Sequence, residues 1–504
     1  MTTLAARSPR LDLVVLGSVG GLALAGLAAI LGGNGNPGIA LVPLVFAGIL
    51  LAVLLNPLRR TLYVLGFLAL VLENPTESFA LGEWKSPIAL FGQMMLMQLK
   101  ATFGMGIIVS GMDLGLALVV AVLVVRRLRG SRIDQEGQTF TAPPMVWAAF
   151  GCLATMGFVW LSGLARGGSF GDSLWQIFRV VYLPTVTLLF AATLRGGRDA
   201  PLLATLMIVA AIYRSILAIY IRSLFPDTEV MSFTTTHADS MLFANTFAFI
   251  LAYVYERPEK RSFLLALGVL PIVGWGMVAN NRRLVWVEVI AALLVLGIVT
   301  GWSPIKRRLS QAFILASPLI VLYVGVGWAK PTGIFAPVKT LRSVVDSGAD
   351  QSTRWRDYEN FNLYSTLKKN PLIGVGFGVP YDEVVHLPDI SASYELYRLA
   401  PHNAILGIFA YGGLLGFAGL FMMMPLAIFF AMRIYRRAIS ARDRILALTG
   451  IAATVIYLMH CYGDMALGTY ASVWMLSPLF ALLGKVAIST GAWPSPPAPV
   501  RPPA

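Results

Sequence analysis

The chain is short of cysteine, histidine and charge. It has two cysteines, Cys152 and Cys461, both inside apolar runs. That excludes a disulfide framework and any zinc-ligand spacing, and both read as small core residues. The four histidines form no metal-ligand cluster with the carboxylates. Charged residues make up 13% of the sequence, against roughly 25% in a soluble globular domain. Acidic side chains are the scarcer kind, 25 against 39 basic ones, for a net charge of +14. Such an excess can signal nucleic-acid binding, but its placement here excludes that partner. Arg59-Arg60, Arg126 to Arg129, Arg257 to Arg261, Lys306-Arg307-Arg308 and Arg433 to Arg444 fall in short loops between apolar runs. This is the positive-inside pattern of a membrane protein.

Apolar residues are abundant: 57% of the chain is hydrophobic and the mean hydropathy is +0.73. A membrane span needs about 20 apolar residues, and many runs reach that length. They lie near 13–33, 38–56, 106–126, 144–165, 175–194, 200–221, 240–255, 262–279, 284–301, 310–328, 403–432, 445–464 and 467–488, with a weaker one at 61–79. Residues 86–103 read as an interfacial or re-entrant segment. The first run is too long for a signal-peptide core and further spans follow, so it reads as an uncleaved helix. The expected fold is an all-α integral membrane protein of about fourteen transmembrane helices, with one large external loop containing short helices. The divisions are 1–328, N-terminal membrane helices; 329–401, the external loop; 402–488, C-terminal membrane helices; and 489–504, a disordered Pro-rich cytoplasmic tail.

Alternation from a cytoplasmic N-terminus puts the basic loops inside. It puts Arg166 to Asp172, Arg222 to Asp239, Asn280 to Arg283 and the 329–401 loop outside. Arg282-Arg283 then breaks the inside rule, and an external anion is the reason such a breach calls for. In the large loop, Trp355, Tyr358, Phe361, Tyr364 and Leu367 recur every third residue, close to helical spacing. Asp350 and Ser352 are candidate N-caps, and Asn370-Pro371 ends the helix. A glycine-rich turn segment follows at 371–378, then a second short helix is expected at 390–400. Pro401 suits a first helical turn. It sets His402 near the N-terminus of the next helix, at the expected boundary of water and lipid.

Arg282, Arg283, Arg354 and Arg356 share the external side with His402. Arginine stays charged and holds phosphate in a fork geometry, and a lipid-linked diphosphate carries its charge at this boundary. The positive end of the helix dipole acts against a second positive charge at His402, and an uncharged imidazole is what a general base needs. The implied chemistry is attack by a hydroxyl on a carbon whose leaving group is a diphosphate, with the arginines stabilising the charge that builds there. Arg179 and Arg214 lie inside apolar runs and are functional candidates by position. Arg214, nearer the external half, could line the donor cavity or form an ion pair with Asp239 or Asp464. His460 and Asp464 lie one turn apart, to bond each other or to orient His402.

These residues fall in an order that resembles a known family. Asn281-Arg282-Arg283 stands between two helices, then come Ser352-Thr353-Arg354 and Tyr358. Asn370 to Gly376 follows, then His402-Asn403 and Gly412-Gly413-Leu414-Leu415-Gly416. The series, over about 280–416, is similar to the bacterial O-antigen ligase and polymerase family. The resemblance implies a multi-pass enzyme of the bacterial cytoplasmic membrane, acting on its periplasmic face. It implies an inverting, metal-independent glycosyl transfer that needs no cofactor. The donor is an undecaprenyl-diphosphate-linked glycan and the acceptor a glycan or lipid A core, with polysaccharide export and chain-length proteins as further partners. The resemblance implies that His402 activates the acceptor and that Arg282 or Arg283, and Arg354 with Arg356 the weaker choice, bind the diphosphate; by position Arg214 is expected to join them, and Tyr358, Asn403 and Asp464 are supporting candidates. The family often has serine before the helix-end arginine, where this chain has two asparagines and two arginines. The rival readings are a transporter or flippase of lipid-linked glycan and a non-catalytic assembly scaffold.

Overall fold

The computed structural model of the chain describes residues 50, 56–72, 110–131, 133–134, 137–224, 234–330, 335, 338, 342, 351–389, 397–464 and 469–494. The expected spans at 13–33 and most of 38–56, the end of 61–79, the segment 86–103 and most of the Pro-rich tail lie outside these residues. Every helix below is among the described residues. The chain divides into two compact units, 1–139 with 192–195, and 140–191 with 196–504.

In the first unit, α1 (Leu58–Val71) packs on α2 (Gly111–Leu128). A capping box starts α2: the Ser110 hydroxyl accepts from the Asp113 N–H, and the Asp113 carboxylate accepts from the Ser110 N–H at 2.6 Å. Asp134 accepts from the Leu58 N–H at 2.7 Å and pairs with Arg126 at 3.0 Å, tying the basic loop to the start of α1.

The second unit holds α3 (Pro143–Ala165), α4 (Phe170–Thr193, whose last two residues fall in the first unit), α5 (Ala200–Leu224), α6 (His237–Glu256), α7 (Lys260–Asn280), α8 (Leu284–Val299) and α9 (Pro304–Ala329). It continues with α10 (Gln351–Lys369), α11 (Ala404–Phe421), α12 (Met423–Arg437), α13 (Ala441–Gly463) and α14 (Tyr470–Ser489). Eight helical stretches are long and apolar enough to cross a membrane, nine if the bent α4 is counted. The centre is α13, packed by α6, α8, α12 and α14. Its small residues, Gly450, Ala452, Ala453 and Thr454, are buried and let neighbours approach closely. The hydroxyls of Thr449 and Thr454 bond back to carbonyls of their own helix, so they bury no unmet donor. Exposed aromatics mark the helix ends: Trp147 and Trp302 beside basic loops, and Tyr220, Trp275, Trp286, Trp328 and Tyr462 at opposite ends. Aromatic rings favour both membrane interfaces.

The stretch from Ala404 to Arg437 is apolar over 34 residues and ends in Arg433, Arg436 and Arg437. Inside α11 the helix breaks at Gly413, with φ 59° and ψ −158°. The loop after α10 fills the break: Leu414 and Leu415 donate to the carbonyls of Pro371 and Leu372, and Val375 and Gly376 donate to those of Ala410 and Tyr411. On its other side the loop lies against α3, where Phe377 donates to the Val159 carbonyl and Arg166 bonds the Gly374 carbonyl. The segment read from sequence as turn glycines is thus a wedge between two apolar helices. Gly412 to Gly416 is not one continuous helical face.

The loop helix α10 begins at Gln351, so Ser352 lies within it and is not the cap; Asp350 is outside the described residues. Tyr358, Phe361 and Tyr364 are exposed, while Glu359, Asn362, Leu363 and Thr366 are buried. A spacing of three drifts about 60° per step around a helix of 3.6 residues per turn, so the aromatic ladder winds onto the outer face. Of the expected helix at 390–400, residues 390–396 are outside the described residues and 397–399 form a turn.

Candidate active site

His402 stands just before α11, whose N-cap is Asn403: the Asn403 side-chain oxygen accepts from the Leu406 N–H. The Asn403 amide donates to Asn360 of α10 at 3.1 Å. The Glu359 carboxylate, one residue earlier in α10, accepts from the His402 backbone N–H at 3.0 Å, and both its oxygens lie 3.3 Å from Nδ1 of the ring. The Glu359 side chain is 1% exposed and that of His402 28%, so a buried carboxylate holds an imidazole whose other edge reaches the surface. The segment before His402 is pinned as well. Gln176 of α4 donates to the Leu399 carbonyl, and the Tyr411 hydroxyl donates to that of Arg398. Tyr381 is fully buried against Leu363 and Ala410. Burial, with Glu359 and Glu383 nearby, pushes its phenol up, so it stays protonated beside the Glu359 carboxylate.

A second polar cluster gathers where α6, α7, α8 and α13 end. Residues 234–236 are stitched to the end of α7. The Thr234 hydroxyl donates to the Ala279 carbonyl, and the Asn280 side-chain oxygen accepts from the N–H and hydroxyl of Thr235. Asn281 closes α7 in the left-handed conformation, φ 55°, a turn asparagine tolerates better than most residues. Arg282 follows, half-buried, and Arg283 is exposed. His237 opens α6 with Nδ1 2.6 Å from Asp464, just past the end of α13. His460, one turn earlier in α13, meets Glu288 of α8 through Nδ1, and both are fully buried. The charge of Arg282 acts on both imidazoles.

Three of the four histidines thus each face a carboxylate in the core or at the rim of the helices. Sequence reasoning singled out His402 but none of these three carboxylate partners. The carboxylate at His402 is Glu359, not Asp464 or a neighbour of His460; Asp464 belongs to His237. Glu359 follows Arg354 and Arg356 on a polar loop helix, and nothing in sequence links it to a residue 43 positions on. The only available signal for His237 and Asp464 was that both fall at expected external helix ends.

Arg354 and Tyr358 are exposed on the outer face of α10. Arg356, on the inner side, is half-buried with its Nε enclosed. Arg214 is buried and grips Asp239 through two bonds, 2.8 and 2.6 Å, the ion pair that the sequence allowed as its alternative role. The Arg179 side chain lies outside the described set. His386 is exposed. Among the described residues no group of three or more His, Cys, Asp or Glu could hold a metal ion.

Long apolar helices with aromatic ends define a multi-pass membrane protein, and the polar residues converge where helices end. Residues 230–421 match the family model of O-antigen ligase, the family that the order of motifs in the sequence resembles. The matched stretch includes His237, Arg282, Glu288, Arg354, Glu359 and His402. No curated protein matches the chain.

Proposed function

We propose that the protein is a membrane glycosyltransferase, moving a glycan from undecaprenyl diphosphate to a sugar hydroxyl on the periplasmic face of the cytoplasmic membrane. The observation that carries this reading is the Glu359–His402 contact. With Nδ1–H donated to the carboxylate, Nε2 keeps its lone pair and accepts the proton of an incoming hydroxyl. The hydroxyl oxygen bonds to the anomeric carbon, the bond from that carbon to the diphosphate oxygen breaks, and the diphosphate leaves with the electron pair. A single displacement inverts the carbon. No step calls for a metal or a cofactor.

Arg282, Arg354 and Arg356 are the cations proposed to hold the diphosphate, with the more exposed Arg283 serving the approach. Arg214 is assigned to the scaffold through Asp239, because a bidentate buried pair leaves less of its guanidinium for a ligand. Asn403 supports the base by capping the helix that follows it.

The product could be an O-antigen or an exopolysaccharide, and the enzyme a polymerase or a ligase. Incubating purified protein with the lipid-diphosphate glycan alone separates the two. Longer lipid-linked chains identify a polymerase; transfer only after lipid A core is added identifies a ligase. No new glycosidic bond under either condition rejects the proposal.

A further inference from the structure

We infer that Trp355, Tyr397 and Arg398 form the subsite that holds a sugar ring of the acceptor beside His402. This rests on the reading above and adds the acceptor's place to it.

The chain brings these residues to the base from two directions. Trp355 stands one turn before Glu359 on the same face of α10, about 6 Å along the helix. Tyr397 and Arg398 come five and four residues before His402. The rings of Trp355 and Tyr397 meet where the two segments pass, with centroids 6.3 Å apart and planes tilted by 59°. Arg398 is fastened to Tyr381: its guanidinium donates to the Tyr381 carbonyl at 3.1 Å, and the Tyr381 N–H donates to the Arg398 carbonyl at 3.3 Å. Tyr381 and Trp355 share one apolar cluster with Leu363, Leu387 and Ala410, which ties the group to both α10 and α11.

Unmet donors gather in this neighbourhood. Trp355 Nε1, Arg398 Nε and the Tyr381 hydroxyl are each shielded from water and without a hydrogen-bond partner among the described residues. A buried donor left unpaired is costly, and three in one cluster suit an oxygen-rich ligand. The charge here is balanced rather than positive, because Glu383 and Asp389 act on Tyr397 against Arg398. A phosphate would lack the surplus of cations it needs, and an alkyl chain would leave the donors unmet. A sugar meets both conditions. Its C–H face packs on aromatic rings, and its oxygens accept from N–H and O–H groups around them. Half-buried Tyr397 is the outer wall; its ring turns aside to admit the sugar and then lies against it. The arginines proposed for the diphosphate are other residues, so the ring held here is the acceptor's, whose hydroxyl must reach His402 Nε2.

The test uses the full-length protein in nanodiscs with 15N in its indole rings. The Trp355 N–H signal is assigned by its loss in Trp355→Phe. If that variant does not fold, the signal is found by its shift in Tyr397→Leu, which removes the neighbouring ring. The probes are two lipid-free sugars: the glycan released from the donor lipid by mild acid, and the core oligosaccharide freed of lipid A. One of them should move the Trp355 signal, and inorganic pyrophosphate should not. By calorimetry, Trp355→Phe and Tyr397→Leu should each weaken binding of that sugar about three- to tenfold, the worth of one hydrogen bond or one aromatic contact. Tyr364→Leu, on the exposed face of α10, should leave it unchanged. A Trp355 signal static toward both sugars overturns the inference, as does one that moves with pyrophosphate. Undiminished binding in both variants overturns it as well. Turnover of the lipid-diphosphate glycan by the same preparation separates the two readings: turnover with a static indole removes the subsite alone, and no turnover rejects the reading on which it rests.

Discussion

The Glu359 carboxylate holds His402 at two points, accepting from its backbone N–H at 3.0 Å and standing 3.3 Å from ring Nδ1. One buried side chain on the loop helix therefore sets both the position and the tautomer of an imidazole that opens a long apolar helix. The two elements are fixed to each other again by Asn360 and Asn403.

Replacing Glu359 by glutamine should keep the size of the side chain and reverse the hydrogen bond. Its amide donates to Nδ1, which moves the ring proton to Nε2 and blocks base function. The expected loss in kcat is about a hundred- to ten-thousandfold with KM for the donor little changed, by analogy with other carboxylate–histidine pairs. Steady-state kinetics of Glu359→Gln decide it; a wild-type kcat would show that the carboxylate is only structural.

The wedge at the break in α11 makes a sharp stability prediction. Gly376 has φ 92°, and a Cβ there would fall 2.2 Å from the Gly163 Cα. Gly376→Ala should cost several kcal/mol, on the order of the largest single-residue effects, or prevent folding. Gly151 in α3 has open space around it, so Gly151→Ala should be neutral or stabilise by about 0.5–1 kcal/mol. Thermal unfolding in detergent compares the two; equal melting temperatures would mean the wedge is not seated as described.

Arg214 and Asp239 separate a structural role from a ligand role. Asp239→Asn leaves a buried guanidinium without its counter-charge and should destabilise by about 3–5 kcal/mol. The double replacement Arg214→Met with Asp239→Leu should recover most of that stability and retain transfer activity. A stable but inactive double variant would return Arg214 to the phosphate site.

The long apolar helices and the helix of the 329–401 loop were legible because each rests on composition or local periodicity. The membrane solvent demands long apolar helices, and these leave a strong mark in sequence. Pairings across the fold left no such mark. Glu359 looks like any polar residue of a loop helix until α10 is laid along α11. The aromatic ladder of Tyr358, Phe361 and Tyr364 looks like a buried face until its drift around the helix is followed. The glycines at 374–378 and 412–413 were readable as turns and packing positions. Their shared purpose, one loop supplying hydrogen bonds to another element's broken helix, is a long-range relation that local patterns do not carry. Arg214 was readable as costly inside an apolar run, and only the fold picked Asp239 from its two candidate partners.

The most direct test is turnover of a polyprenyl diphosphate-linked glycan by purified protein, followed as release of free polyprenyl diphosphate and formation of a new glycosidic bond. Wild-type protein should perform both, and equal amounts of folded His402→Ala should fall about a hundred- to ten-thousandfold below it, the usual worth of a general base. Transfer by His402→Ala at the wild-type rate would contradict the account.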